Sequence, residues 1–244
     1  MSNRQRRPDT AYTPNLPSEH VERIRRCHEE GLRAAQAEAG VDGQTFDYLG
    51  LTLHVPPHVQ PIYGMSYLLG EAVLAEVRRG DRVLDMGTGC GVNGILAARA
   101  GADVLALDVN PEAVRAAREN ARRHGVVDRL EVRSSDVFEA LDPAADGPFD
   151  VMVFDPPFRW LEPRDLLEVA TADPGYRALT RFVREARLYL SDRGQLLVFF
   201  GSSGDLSNLQ RLAAEEGFGI EVLARETLEK DGEQVEYVTY RLTP

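Results

Sequence analysis

The chain has 244 residues and a mass of 27.1 kDa, which suits one large domain or one domain with a short appendage. Hydrophobic residues make up 43% of it, enough for a sizeable core. With 28 Lys+Arg against 39 Asp+Glu the net charge is −11, which disfavours tight nonspecific nucleic-acid binding, because neutralising phosphates takes clustered cations, and leaves only a local basic groove open.

Residues 1–17 are polar, carry Pro8, Pro14 and Pro17, and predict a loose arm. The basic residues Arg4, Arg6 and Arg7 have no apolar run behind them, so no secretion signal is expected. Ser18 can cap a helix running to about residue 39, with Val21, Ile24, His28 and Leu32 at helical spacing and Gly40 and Gly43 as stops. Residues 46–48 and 51–55 flank Leu49-Gly50 as a short hairpin. Pro56, Pro57 and Pro61 break the chain, and a helix follows from about Met65 to Arg78.

From Asp81 strands and helices alternate. Residues 82–85 predict a buried strand, 87–91 a glycine turn, and 92–99 a helix. A strand at 104–108 precedes a helix opened by Pro111 and ending near His124; proline is well tolerated at a first helical turn. Strands follow at 130–132 and 149–154, then a helix-rich stretch over 163–190 and a strand at 195–200. A helix over 206–216 leads to a strand at 220–228, an Asp231-Gly232 turn and a returning strand at 235–242. This alternation predicts an α/β fold: a doubly wound, mostly parallel seven-stranded sheet, closed by an antiparallel hairpin and preceded by a small helix and hairpin appendage. The division expected is 1–60 for the appendage and 61–244 for the main domain.

Two cysteines, Cys27 and Cys90, are too few for a disulfide framework or a Cys-rich zinc site. The five histidines show no metal-ligand spacing, so no metal is expected. No stretch approaches the roughly 18 apolar residues of a membrane span, and a reduced, cytoplasmic setting is the natural reading.

The strongest chemical signal is Val-Leu-Asp-Met-Gly-Thr-Gly-Cys-Gly over residues 83–91. A strand ends in Asp85, and Gly87-Thr88-Gly89 with Gly91 lets backbone approach a ligand closely. Asp108 ends the next strand, placed to take two ribose hydroxyls. A dinucleotide oxidoreductase is disfavoured, because the glycine spacing is G-x-G-x-G and Asp85 would repel a pyrophosphate. A cationic amino group, as in S-adenosylmethionine, suits Asp85 better. A tight turn without a ligand is disfavoured by the paired Asp108.

On these residues the sequence resembles the class I S-adenosylmethionine-dependent methyltransferases, from about Pro61 onward. The resemblance implies S-adenosylmethionine as cofactor, the glycine turn and Asp85 as its loop, and Asp108 as the ribose ligand. It places Asp136 and the Val137 backbone against the adenine ring; by itself Asp136 reads more readily as a loop or cap residue, and in this context equally as either.

Phe-Asp-Pro-Pro-Phe, residues 154–158, resembles the D/N-P-P-aromatic motif of amino-methylating enzymes. An amide or exocyclic amine conjugates its lone pair with a planar group and must present it out of plane to attack a sulfonium methyl. The Asp155 side chain and the Pro156 carbonyl can accept its N–H bonds, the two prolines stiffen the turn, and Phe158 can stack on a flat substrate. The resemblance thus makes Asp155, Pro156 and Phe158 the catalytic candidates, with positioning supplying much of the rate.

The run from Leu53 to Ser66 looks like the lead-in of the small methyltransferase group, which includes protein-glutamine methyltransferases of release factors and several RNA-base methyltransferases. It makes Pro61, Tyr63 and Ser66 candidates for a cofactor lid; a plain loop with Ser66 as helix cap fits equally. The chain departs from the glutamine enzymes in carrying Asp-Pro-Pro-Phe for Asn-Pro-Pro-Tyr and in its shorter N-terminal part. Trp160 reads as pocket wall or as core, and Arg177, Arg181 and Arg184 as a solvated face or an anion attractor. The implied activity is N-methylation of a protein side chain or small molecule. A nucleic-acid base methyltransferase and a noncatalytic cofactor-binding scaffold are the alternatives.

Overall fold

A computed structural model describes residues 12–14, 16–38, 42–230 and 233–244. The basic stretch of the arm with Pro8, the Gly40 stop and the Asp231-Gly232 turn lie outside the described residues. Helix α1 (Ser18–Glu38) turns Ile24 and His28 inward. Strands β1 (Gln44–Tyr48) and β2 (Leu51–Val55) form the expected hairpin, turned by Leu49 and Gly50 at φ 44 and 77, the positive values a tight two-residue turn requires.

A single 3-10 turn at residues 64–66 leads into helix α2 (Tyr67–Glu76), which is shorter than expected because Val77 turns extended and feeds the next strand. The core then runs β3 (Arg82–Met86), α3 (Val92–Ala100), β4 (Asp103–Asp108), α4 (Pro111–Arg123) and β5 (Leu130–Ser134). Asn110 caps α4, accepting from the Glu112 N–H at 2.9 Å, with Pro111 behind it as expected. A one-turn helix α5 (Pro143–Asp146), capped by Asp142, precedes β6 (Phe149–Phe154).

The stretch expected to be helix-rich breaks up. It holds α6 (Leu166–Val169), a 3-10 turn at 174–176, α7 (Arg177–Glu185) and a second 3-10 turn at 186–188. Gly175 and Tyr176 take φ 60 and 56, which no helix accommodates. Strand β7 (Leu190–Gly201), helix α8 (Leu206–Glu215), and strands β8 (Gly219–Lys230) and β9 (Glu233–Thr243) complete the chain.

The seven strands β3–β9 form one sheet in the order β5-β4-β3-β6-β7-β9-β8. Only β9 runs against its neighbours, so the closing hairpin inserts its second strand between β7 and β8. Residues alternate sides: Val83, Val104 and Val151 face one core with α2, α3 and α4, while Leu84, Leu105 and Met152 face the other with α7 and α8. Chain order reverses between β3 and β6, and a ligand crevice is expected outside the carboxyl ends of strands at such a point.

The N-terminal elements are tied to this frame. Leu51, Leu53 and Val55 are each 2% exposed or less and belong to the core of α2–α4. Asn120 of α4 accepts from the His54 N–H at 3.0 Å and donates to the carbonyls of His54 and Cys90 at 2.8 and 2.9 Å. The arm is not loose at its described end. The Tyr12 hydroxyl bonds Asp205, and its ring stands edge-on to Tyr176 at 5.0 Å. Among the described residues no helix is long and apolar enough to cross a membrane.

Candidate active site

The carboxyl ends of β3, β4 and β5 are laced together by their own backbone. The Thr88 N–H donates to the Leu107 carbonyl at 2.9 Å, and the Ser135 N–H to the Asp108 carbonyl at 3.0 Å. Asp108 accepts the Gly89 N–H on one oxygen at 2.8 Å and the Asn110 N–H on the other at 2.9 Å. Each oxygen keeps a further lone pair, and the carboxylate lines the cleft above the sheet. Burial pushes its pKa up, against the pull of those amides. Gly89 sits at φ 55, and nothing lies within 4 Å of where a Cβ would stand. That bare backbone fits a cofactor laid flat against the turn.

Asp85 lies near the carboxyl end of β3. It is 2% exposed and does not line the cleft. One of its oxygens accepts the Thr88 hydroxyl at 2.5 Å and the Gly94 N–H at 2.8 Å, so it ties the turn to the start of α3 from behind. Burial raises its pKa to about 7, with Asp108 adding to the shift. Gly91 likewise lies behind the turn, opening α3 against Ala117 of α4. Gly87, Thr88 and Gly89 line the cleft.

Asp136 and Val137 also line it. The Asp136 carboxylate is half exposed and paired with Arg181 at 3.1 Å. Val137 takes φ 51 in a turn clamped by Ser135, whose hydroxyl donates to the Val137 carbonyl at 2.8 Å and accepts from the Ala140 N–H. The Val137 N–H has no partner among the described residues.

Asp155 ends β6, one strand over from the glycine turn, in register beyond the Met86–Phe154 pair. Ser66 donates its hydroxyl to Asp155 at 3.3 Å, while the Tyr48 hydroxyl holds the Ser66 carbonyl at 2.6 Å. Ser66 is therefore not a side-chain helix cap. Burial, with Asp85 adding to it, raises the Asp155 pKa to about 7. The Pro156 carbonyl accepts nothing from the described residues. Phe158 packs on Phe199 and Phe200, ring centres 5.5 and 5.1 Å away. The Phe158 carbonyl accepts the Tyr176 hydroxyl at 2.6 Å, and that oxygen in turn accepts the Asp205 N–H. Gly204 presses the same carbonyl so closely that a Cβ there would meet it at 2.0 Å.

The two halves share one cleft of about 2210 Å³, more than twice the upper end of the usual range for a small-ligand site. It has room for a cofactor and for a second reactant beside Asp155. The description "Methyltransferase small domain" matches residues 65–227, which span every one of these groups from Ser66 to Gly204.

The chain belongs to the small methyltransferase family. As a methyltransferase of this family it uses S-adenosylmethionine. The ribosomal protein uL3 glutamine methyltransferase of Bordetella pertussis is 33% identical over 215 residues, 81% of this chain and 69% of that one. A Methanocaldococcus jannaschii chain, provisionally named a protein N5-glutamine methyltransferase, is 30% identical over 72% of this chain and 89% of its own. Among solved structures, Trm5b from Pyrococcus abyssi shares the fold at a TM-score of 0.61 and 18% identity; 84% of this methyltransferase aligns with 56% of that chain.

Motif reading misses two side chains of the cleft. Gln60 and Asn93 both line it, and each has a buried side-chain carbonyl oxygen with no hydrogen-bond donor. Gln60 lies within the lead-in and Asn93 just after the glycine turn, but neither is a residue those motifs single out, and only the folded geometry brings them to the wall. Pro61 and Tyr63 line the cleft as well. Trp160 does not; it is 9% exposed and sits in the core of α7 and α8. The row of arginines on α7 is already engaged. Arg177 donates to the Pro174 carbonyl, Arg181 pairs with Asp136 and Glu139, and Arg184 with Glu216. Among the described residues no three His, Cys, Asp or Glu side chains converge as a metal site.

Proposed function

We propose that this methyltransferase alkylates the side-chain amide nitrogen of a glutamine in a protein. One observation carries the reading: at the end of β6 the Asp155 carboxylate accepts only the Ser66 hydroxyl, and the Pro156 carbonyl accepts nothing among the described residues. Two acceptors on adjacent residues match the two N–H bonds of a primary amide. Held by both, the amide cannot rotate, and its π face, where the lone pair must emerge, is turned toward the cofactor side of the cleft. The similarity to two glutamine methyltransferases supports the choice of acceptor.

Bound S-adenosylmethionine supplies a methyl group on a positively charged sulfur. Asp108 would hold the ribose diol with its remaining lone pairs, and the Val137 N–H would meet an adenine ring nitrogen. Gln60 and Asn93, with acceptors lacking donors, suit the ammonium of the methionine part, a role the buried Asp85 leaves open. As the nitrogen–methyl bond forms and the carbon–sulfur bond breaks, the amide becomes acidic. Asp155 accepts the departing proton; burial has already raised its pKa toward that task. Phe158 walls the acceptor side. The carboxylates on Arg181 and Arg184 count against a nucleic-acid acceptor.

Asp155→Ala is expected to bind S-adenosylhomocysteine as the parent does and to methylate a glutamine peptide roughly a hundredfold more slowly, or worse. Calorimetry and a methyl-transfer assay give the two readings. Unchanged turnover removes Asp155 from the chemistry. Cofactor binding with no turnover on any peptide supports a scaffold instead.

A further inference from the structure

Arg159 follows Phe158 directly and lines the cleft on the acceptor side of the motif. Its backbone is pinned: its carbonyl accepts the Asp173 N–H at 2.7 Å, and it forms a lone bridge with Ala172. Its side chain is not. Among the described residues no hydrogen bond or ion pair engages the guanidinium, and its Nε is buried without a partner. The groups that act most on its charge are Tyr237, Cys27, Tyr63 and Tyr176, none of them a carboxylate. Facing it from α1, His28 has its pKa lowered to about 4 by burial and by Arg159 itself, so it stays neutral. The acid nearest that histidine, Glu168, is taken by Arg164 at 2.6 Å.

Three other arginines that line the cleft are matched with acids, Arg181 with Asp136 and Glu139, Arg184 with Glu216 and Arg211 with Glu215, and Arg177 is held by the Pro174 carbonyl. Burying a cation without a counter-ion opposes folding, and a fold that keeps one at the mouth of a reaction site leaves the counter-charge to a ligand. The planar fork of a guanidinium matches a carboxylate in two parallel hydrogen bonds. Beside it the Tyr63 and Tyr237 hydroxyls lie 2.9 Å apart; one donates to the other, and the second proton is left for a ligand. A polynucleotide would need several such cations along a groove, and here Arg181, Arg184 and Arg211 are already neutralised.

We propose that Arg159 binds a carboxylate carried by the methyl acceptor, close to the nitrogen that is methylated. The inference rests on the acceptor entering beside Asp155, as proposed above. The carboxylate has two possible sources, an acidic side chain next to the glutamine or the α-carboxylate of a free or terminal glutamine.

The test is calorimetry on the S-adenosylhomocysteine-loaded protein with three probes. These are N-acetylglutamine, N-acetylglutamine methylamide, and acetyl-Gln-Glu methylamide. The parent is expected to bind at least one acidic probe roughly tenfold more tightly than the neutral one. Preference for N-acetylglutamine identifies an α-carboxylate, and preference for the dipeptide an acidic side chain; both support the proposal. Arg159→Gln should abolish the preference and Arg159→Lys keep part of it. Equal binding of the probes, binding of none, or a preference unchanged in Arg159→Gln overturns it. So does an Arg159-dependent preference for adenosine monophosphate over adenosine that the glutamine probes lack.

A second reading needs no probe. Arg159→Gln should melt at a higher temperature than the parent, because a half-buried charge with no acid on it among the described residues is gone; a lower melting temperature makes Arg159 structural and overturns the proposal. Methyl transfer to the same probes separates the two ideas. An Arg159-dependent preference without methylation leaves the carboxylate site standing and removes the glutamine acceptor.

Discussion

At the scale of single residues, two aspartates, the buried Asp85 and the half-buried Asp155, have pKa values raised by the fold. Asp155 serves only as an acceptor when ionised, whereas Asp85 acts on the fold. An unfolded Asp titrates near 3.9, and Asp85 in the fold near 7, so the native state holds its proton more tightly. The stability this contributes is present below the unfolded value and lost as pH rises through about 7. Asp85→Asn should therefore melt with a shallower decline between about pH 5 and pH 8 than the parent, measured by calorimetric melting. An equal slope in both proteins would assign the decline to other groups. Asp108 and Asp155 are legible in the sequence because their positions at strand ends are local properties of short motifs. The place of Asp85 is not legible. Nothing in residues 83–91 says that one of its oxygens is held by Thr88 and Gly94. Gln60, Asn93 and Arg159 are harder still, since a missing partner is a fact about long-range packing.

Elements whose apolar runs stand alone read almost to the residue. β6 is found at residues 149–154, where the run of Phe149 to Phe154 places it, and β3 and β4 extend their expected spans by one residue. The segment after the motif fails for a physical reason. Tyr176 is fully buried and needs a left-handed backbone to bring its hydroxyl between Phe158 and Asp205, so a continuous helix gives way there. That buried hydroxyl and Gly204 together hold the motif from behind. Gly204→Ala should force the Phe158 carbonyl away, costing about 1–3 kcal/mol of stability by overpacking. Methyl transfer should fall much further than S-adenosylhomocysteine affinity, because the cofactor turn lies on other strands. Equal losses in both would show that the effect is general unfolding.

For the whole molecule, the sheet order follows from strands alternating with helices, and the antiparallel β9 from the hairpin at the end of the sequence. Across residue 60 the packing is continuous, with Leu51, Leu53 and Val55 in the same core as α2–α4. Removal of residues 1–60 takes away β1 and β2, uncovers α2–α4 and strips Asn120 of its partners at His54. Such a chain is expected to be insoluble or unfolded by circular dichroism. Removal of residues 1–42 spares the hairpin and takes only the arm and α1, whose His28 and Cys27 line the acceptor side of the cleft. That chain should keep its affinity for S-adenosylhomocysteine and lose affinity for the acceptor. A loss of cofactor affinity would place α1 over the cofactor instead. The net charge of −11 takes on a local meaning: in the cleft, acids cancel Arg181, Arg184 and Arg211, while Arg159 beside the motif has no acid on it among the described residues.

Trp160 adjoins that arginine in the chain and is the only tryptophan among the 244 residues. Its indole packs 6.4 Å from Tyr12 and 6.1 Å from Tyr176, ring centre to ring centre. All indole emission of the molecule therefore originates one residue from the acceptor side of the cleft and against the docked end of the arm. The native protein thus carries a built-in optical reporter there, whose emission is expected to change on acceptor arrival or on release of Tyr12 without any label.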